Sequence, residues 1–346
     1  MRNGVRRSAR STRSRYIPCD ITRRACANGI CRYPGSAMFI RQLHYLVTLA
    51  QEQHFAKAAE LSHVSQPALS SAIRSLEAEL GLVIVRRGRR FIGFTEEGER
   101  VLGWARQTLA TLEHMRQDAS AAQVRLTGTI RIGVIPTTMP IVGLLLGACR
   151  ADHAAIRYAA RSLSADTILR QLDDYELDIG FTYLDDRVQA GFAVLPLYRE
   201  RYFLLSPPDS PANPALNRWD ALGELPFCLL GTTMQNRQVI NAAFRRAGVQ
   251  PTVVLETDSL LALYSNVQHA GLYSILPHSL LSVLDSRTSV NATPLLPELT
   301  REIGLITRNS PSMPPLAAAM WTAAERLDLQ QSFDALLQKA DIAALQ

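Results

Sequence analysis

The sequence predicts a multidomain chain: an all-α-dominated winged helix-turn-helix, a long linker helix, and then a two-lobed α/β domain. Three observations carry this. Two short helical patterns lie side by side within residues 55–80, followed by a strand, an arginine-rich turn and a second strand. A capped heptad pattern follows over residues 96–125, and from Thr127 onward strand and helix patterns alternate.

With 346 residues the chain can form two or three domains with proper cores. Its longest apolar run, Ile141 to Cys149, is nine residues, far short of a bilayer span, so no membrane partner is expected. The net charge is +6, but residues 1–37 hold nine Arg against one acid, Asp20, so the rest of the chain is slightly acidic. Residues 1–37 read as a disordered basic extension. Three readings compete for them: an arm on phosphates, an organelle transit peptide, or a stretch upstream of a true start at Met38. The helix pattern that begins at Phe39 favours the third. Cys19, Cys26 and Cys31 lie in this extension without zinc-ligand spacing; Cys149 and Cys228 sit in apolar surroundings and read as inert thiols of a reducing compartment.

Residues 38–95 form the first predicted domain. Phe39 to Ala50 is an amphipathic helix with Leu43, Leu46, Val47 and Ala50 on one side. Ala56 to Leu61 is a second, alanine-rich helix. Ser65 caps a third, with Pro67 tolerated in its first turn. After it Leu69, Ile73, Leu76 and Leu80 form one stripe, and Gln66, Ser70 and Arg74 form a polar one beside it. Ala58 and Ala59 let the helices cross closely, and Val64 plugs the turn. Gln66, Ser70, Ser71 and Arg74 are of the types that read base edges or hold phosphates. An ordinary helical hairpin with a solvated polar stripe is the competing reading. Gly81 to Val85 reads as a strand, Arg86-Arg87-Gly88-Arg89-Arg90 as a turn, and Phe91 to Phe94 as the returning strand. Four arginines beside a candidate recognition helix favour phosphate contact over a merely solvated loop.

These residues resemble the LysR-type transcriptional regulators: Phe55, Ala58-Ala59, Ser65-Gln66-Pro67-Ala68-Leu69-Ser70, Ile73, Leu76-Glu77, Leu80-Gly81, Arg87 and Thr95-Glu96-Glu97-Gly98. Two departures stand out. Ser71-Ala72 occupy places where family members often carry a longer pair such as Arg-Gln, and Ile84-Val85 replace Leu-Phe. The resemblance implies a cytoplasmic regulator that binds double-stranded DNA through Lys57, Ser65, Gln66, Pro67, Ser70, Ser71, Arg74, Arg87, Arg89 and Arg90.

Residues 96–126 are the linker. Thr95 caps the helix, and Glu96 and Glu97 suit its positive end. Leu102, Ala105, Leu109 and Leu112 step by three and four into a heptad seam. Pairing with a second copy would bury that seam, and the resemblance implies the same linker-helix contact in a homodimer or homotetramer; packing on the chain's own body is the alternative. Two recognition helices about 34 Å apart would then meet successive turns of duplex.

Residues 127–346 alternate strands and helices: Thr129–Val134, a helix through Cys149, Ala155–Ala160, Ala165–Asp174, Leu177–Thr182. The chain then crosses at Val194–Leu205 into a second lobe and returns at Arg301–Thr307, closing with Pro314–Leu327. This places lobe I at 127–199 and 297–346 and lobe II at 200–296. Two lobes with two crossings are periplasmic-binding-protein-like, and the resemblance implies an effector in the interlobe cleft. Strand C-terminal ends and helix N-termini line such clefts. They carry Thr137, Thr138, Ser164 and Tyr183 in lobe I, and Tyr202, Thr232, Thr233 and His278 in lobe II. Hydroxyls at helix ends suit a small polar or anionic molecule, although Ser and Thr before helices are most often plain caps.

No Gly-rich phosphate loop, G-x-S-x-G elbow or H-E-x-x-H occurs. Asp173-Asp174 and Asp185-Asp186 read as solvated turns, and His54, His63 and His114 lack ligand-spaced partners. We expect no catalytic residues, no metal and no cofactor. The leading expectation is a ligand-responsive regulator that contacts DNA, itself and, when activating, RNA polymerase. The rival is a solute-binding or enzymatic α/β protein whose N-terminal helices serve assembly only.

Overall fold

The computed structural model describes residues 38–88, 91–121, 126–210, 214–282, 290–310 and 313–335. The expectations for residues 1–37, and for Arg89 and Arg90, lie outside these.

The N-terminal head comprises α1 (Ile40–Glu52), α2 (Phe55–Leu61), α3 (Gln66–Leu80), β1 (Val85–Arg87) and β2 (Phe91–Phe94). Leu43, Leu46, Leu49, Ala58, Ala59, Leu69, Ile73 and Leu76 form its core. Leu80, expected in that stripe, is instead 40% exposed. The helix ends one residue later, at Gly81 with φ +67, and the turn carries the chain away from the core. The strand expected from Gly81 begins only at Val85. Glu77 Oε1 accepts the N–H groups of Ile84 (2.9 Å) and Val85 (3.0 Å), so the recognition helix itself holds the root of the wing. β1 and β2 pair antiparallel.

Helix α4 (Glu96–Ala121) starts at Thr95, whose Oγ1 accepts the Gly98 N–H at 2.8 Å. Any Cβ at Gly98 would lie 2.2 Å from the Ile84 carbonyl oxygen, so only glycine lets this turn close on the wing. No helix among the described residues is long and apolar enough to cross a membrane.

The remaining chain forms two α/β lobes. Lobe I is built on β3 (Gly128–Val134), β4 (Ile156–Ser162), β5 (Ile179–Tyr183), the first part of β6 (Phe192–Ser206) and β11 (Thr300–Arg308). β3 lies parallel between β4 and β5, and β11 runs antiparallel between β5 and β6. Helices α5 (Val142–Asp152), α6 (Ala165–Asp173) and α10 (Pro315–Glu325) supply the covering layers. From Tyr202 onward β6 pairs with β9 (Ser274–Pro277) and β10 (Asn291–Pro294), so a single strand crosses from lobe to lobe. Lobe II continues through β7 (Pro226–Leu230), α8 (Gln235–Arg246), β8 (Thr252–Thr257) and α9 (Leu260–His269).

Two further elements differ from expectation. Asp185 is a cap rather than part of a solvated turn: its carboxylate accepts the Val188 N–H at 3.0 Å and starts α7 (Asp186–Gly191). Residues 329–335 add a further helical turn, and its Phe333 fills the core against Tyr198, with ring centroids 4.9 Å apart.

Candidate functional site

The head presents α3 outward. Its apolar face is sealed by Leu69, Ile73 and Leu76, which leaves Gln66, Pro67, Ser71 and Arg74 exposed and Ser70 half-buried. Ser65 Oγ accepts the Ala68 N–H at 3.3 Å, so that hydroxyl starts the helix. Among the described residues no carboxylate pairs with Arg74, and its charge faces solvent unneutralised. Lys57 differs: its ammonium is held by Glu52, and that hydrogen bond raises its pKa. Arg87 belongs to β1 at the wing. An exposed helix edge of amide, hydroxyl and guanidinium groups beside a β-wing fits the shape and donor pattern of a major groove.

The heptad residues do not form a free seam. Leu102 (2% exposed) and Ala105 (1%) are buried within the head of the same chain. Leu109 packs partly there, and Leu112 lines a gap toward lobe I. A period of three and four marks a buried face without saying what buries it, and here α1 does. The stripe left open is Trp104 (69% exposed), Thr108, Thr111 and Met115 (60%). Thr108 and Thr111 turn their hydroxyls back to the carbonyls of Trp104 and Gln107, at 2.8 and 2.9 Å.

A second site lies between the lobes, at the C-terminal ends of β3, β5 and β7. Its walls are Pro136, Thr137, Ser164, Ala165 and Tyr183 from lobe I and Met234, Gln235 and Asn236 from lobe II. The cleft is nearly shut, with about 10 Å³ left. Thr137 (1% exposed) and Asn236 (4%) are sealed there, yet Thr137 Oγ1 and both Asn236 amide atoms lack hydrogen-bond partners. They approach the Tyr183 hydroxyl without forming a well-directed bond to it. Orphaned polar groups in a closed cleft are costly, by about 1–3 kcal/mol each, and a ligand with matching groups would relieve them. Helix α8 starts here with no side-chain cap, so its first N–H groups add donors. Arg237, in that first turn, donates to the Leu230 carbonyl (2.8 Å) and Glu256 (2.9 Å), which fastens α8 to lobe II.

Several expected cleft residues sit elsewhere. Thr138 is buried, and its hydroxyl donates to the Ile135 carbonyl at 3.1 Å, so it closes the local turn. Ser164 lines the cleft but also caps α6, accepting the Thr167 N–H at 3.4 Å. Thr232 and Thr233 are exposed in the β7–α8 loop; the chain turns inward only at Asn236. Tyr202 and His278 lie beneath the cleft, where His278 Nδ1 accepts the Arg201 N–H at 3.1 Å. Burial, with Arg201 nearby, lowers the His278 pKa to about 4, so it is neutral at pH 7.

Asn236, in the cleft wall, and Glu200, beneath it, both lie outside the sequence expectations. Glu200 is fully buried under the cleft, at the point where β6 changes lobes. Its carboxyl accepts long hydrogen bonds from Tyr198 (3.5 Å) and Tyr202 (3.4 Å), with the Ser279 hydroxyl also within its reach, and the Tyr202 hydroxyl lies 3.4 Å from that of Tyr183. Burial raises its pKa to about 8, so it is mainly protonated at pH 7. The signal was present as strand alternation: Tyr198, Glu200 and Tyr202 share one face of β6.

The sequence pattern described as bacterial regulatory helix-turn-helix protein, lysR family, matches residues 40–99. That of the LysR substrate binding domain matches residues 123–328. The DNA-binding transcriptional dual regulator OxyR of Escherichia coli strain K12 is 30% identical over 309 residues, covering 88% of this chain and 100% of the relative. The hydrogen peroxide-inducible genes activator of Haemophilus influenzae is 30% identical over 288 residues, 78% of this chain and 91% of the relative. Among solved structures, a full-length OxyR variant from Pseudomonas aeruginosa superposes with a TM-score of 0.67 at 26% identity, over 86% of this chain and 97% of that one. Full-length CbnR complexed with its target DNA has the same fold, with a TM-score of 0.58 at 21% identity, over 83% of this chain and 99% of that one.

Proposed function

The chain belongs to the LysR family of DNA-binding transcriptional regulators, and from that premise we propose that a small polar or anionic effector, held between its lobes, sets how its head engages DNA. We read residues 38–95 as the head, 96–126 as the linker and 127–346 as the effector-binding part, working in the cytoplasm on double-stranded DNA. The observation that carries the effector reading is the set of buried, unpartnered polar atoms of Thr137 and Asn236 beside the uncapped start of α8. Among the described residues no cationic side chain lines that cleft, and an anion held there by helix N–H groups and amides alone suits a single carboxylate better than a phosphate.

Asn236→Leu and Thr137→Val, each filling the same space without the polar group, are expected to abolish the effector's influence on DNA affinity and leave ligand-free DNA binding within about twofold. A thermal-shift screen of small carboxylates, followed by fluorescence anisotropy on the DNA upstream of the chain's own coding sequence, supplies both readouts. A retained response in both variants would remove the cleft from the account.

The name of one relative, hydrogen peroxide-inducible genes activator, raises a second reading, a response to peroxide, for which a cysteine thiol would be the reacting group. The two described cysteines speak against it. Cys149 and Cys228 are sealed at 0% exposure, and burial raises both thiols, that of Cys228 to about 11. Reactive cysteines have the opposite character, a lowered pKa and an open approach.

Self-association is assigned to the open stripe of α4 rather than to Leu102 and Ala105. Trp104 and Met115, with the Thr108 and Thr111 methyl groups between them, offer an apolar seam that a second copy would cover. Trp104→Ala with Met115→Ala is expected to weaken the dimer by about tenfold or more, measured by sedimentation; unchanged association would place the seam elsewhere.

A further inference from the structure

Helix α6 spans the distance between the cleft and the linker helix. Its N-cap Ser164 and first residue Ala165 form part of the cleft wall. Nine residues later, about 14 Å along the axis, its C-terminal turn meets α4. There Arg106 reaches both Asp174 and Glu176, the latter at 3.3 Å. The Arg106 side chain is only 14% exposed, unlike the pairs Arg100–Glu96 and Arg116–Glu113 elsewhere on the same helix, which are more than half exposed. Surface pairs of that second kind are worth little, whereas a shielded two-carboxylate clamp holds geometry.

The α6 turn is itself braced. Tyr175 adopts φ +59, unusual for a bulky residue. Arg308 lies over its ring at 4.0 Å and donates to the Leu172 carbonyl and, at 3.0 Å, to that of Leu177. Ile168, Leu169 and Leu172 pack the helix into lobe I. Around the clamp the head and lobe I do not close into a continuous core: a gap of about 500 Å³ separates α1 and α4 from β3 and the α6 turn. A rigid helix joined to its neighbour by ion pairs is the kind of contiguous element that can carry coupling between two sites.

We propose that α6 carries the state of the cleft to the DNA-binding head, and that the Arg106 clamp on Asp174 and Glu176 is its coupling to the linker helix. This rests on the reading that the cleft is the regulatory site. Arg106 is a positioning residue, since it touches neither the cleft nor the DNA face.

The test replaces the unidentified effector by a wedge, Ala165→Trp, which forces the cleft wall outward. DNA affinity is measured by anisotropy for the full chain with and without the wedge, in three backgrounds: native, Arg106→Gln, and the isosteric pair Asp174→Asn with Glu176→Gln. The wedge is expected to change DNA affinity by about fivefold or more in the native background and by less than about twofold in the other two. Circular dichroism of every variant verifies the fold, and the two uncoupling backgrounds change opposite partners, so one misfolded variant does not decide the outcome. An equal wedge effect in all three backgrounds would overturn the role of α6 and Arg106 while leaving the cleft reading intact. No wedge effect in any background would overturn both.

Discussion

Replacing Glu200 by Gln is expected to stabilise the protein at pH 8 and to leave it unchanged near pH 4.5. The folded-state pKa of about 8 lies above the 4.5 of a free glutamic acid. Below pH 4.5 both states are protonated, and the folded protein carries no penalty. As pH rises the unfolded chain ionises first, so the stability linked to the proton is lost progressively up to about pH 8. At about 1.4 kcal/mol per unit, the loss is on the order of 4–5 kcal/mol, and glutamine, which cannot ionise, does not share it. Paired denaturant melts of the native protein and Glu200→Gln between pH 4.5 and 8.5 give the difference directly. His278, lowered to about 4, titrates in both proteins and cancels from it. Parallel curves over that window would mean that the buried carboxyl is already ionised in the fold.

The second large effect falls on DNA binding. Arg74 projects from the middle of α3, paired with no acid among the described residues, next to exposed Ser71 and one turn beyond half-buried Ser70. Arg74→Ala is expected to weaken binding by about 1–3 kcal/mol, roughly five- to 150-fold. If Arg74 reads a base, discrimination against altered sites falls with affinity; if it holds a phosphate, affinity falls equally on every sequence. Ser71 and Ala72 are short, which leaves Gln66 and Arg74 as the long side chains of this helix face and concentrates recognition on them.

The parts of the head that were legible were those governed by local chemistry. Ser65 as a cap, Pro67 in the first turn, and the spacing of Leu69, Ile73 and Leu76 each determine a feature within a few residues. Leu80 departs from the buried stripe because Gly81 ends the helix just where the periodicity would have carried it inward. The linker shows a different limit. Leu102 and Ala105 do form a buried stripe, but periodicity is silent on the surface opposite, and α1 covers it before a second copy can. In the cleft, Thr137 and Thr138 are adjacent and chemically identical, and only the turn geometry decides which hydroxyl is consumed by Ile135. Glu200 was legible in principle, as a polar residue between two tyrosines on one strand face. Nothing local reveals that both crossings bury that face completely.

The DNA-reading face is tested most directly by the salt dependence of DNA affinity for three proteins: native, Arg74→Ala, and the wing pair Arg89→Ala with Arg90→Ala. Native affinity is expected to fall steeply with salt, with a slope shallower by about 0.9 for each phosphate contact removed. The wing variant is therefore expected to lose up to about two units of slope, and Arg74→Ala to bind more weakly at every salt concentration. Identical affinities and slopes for all three proteins would contradict the assignment of α3 and the wing as the DNA-reading face.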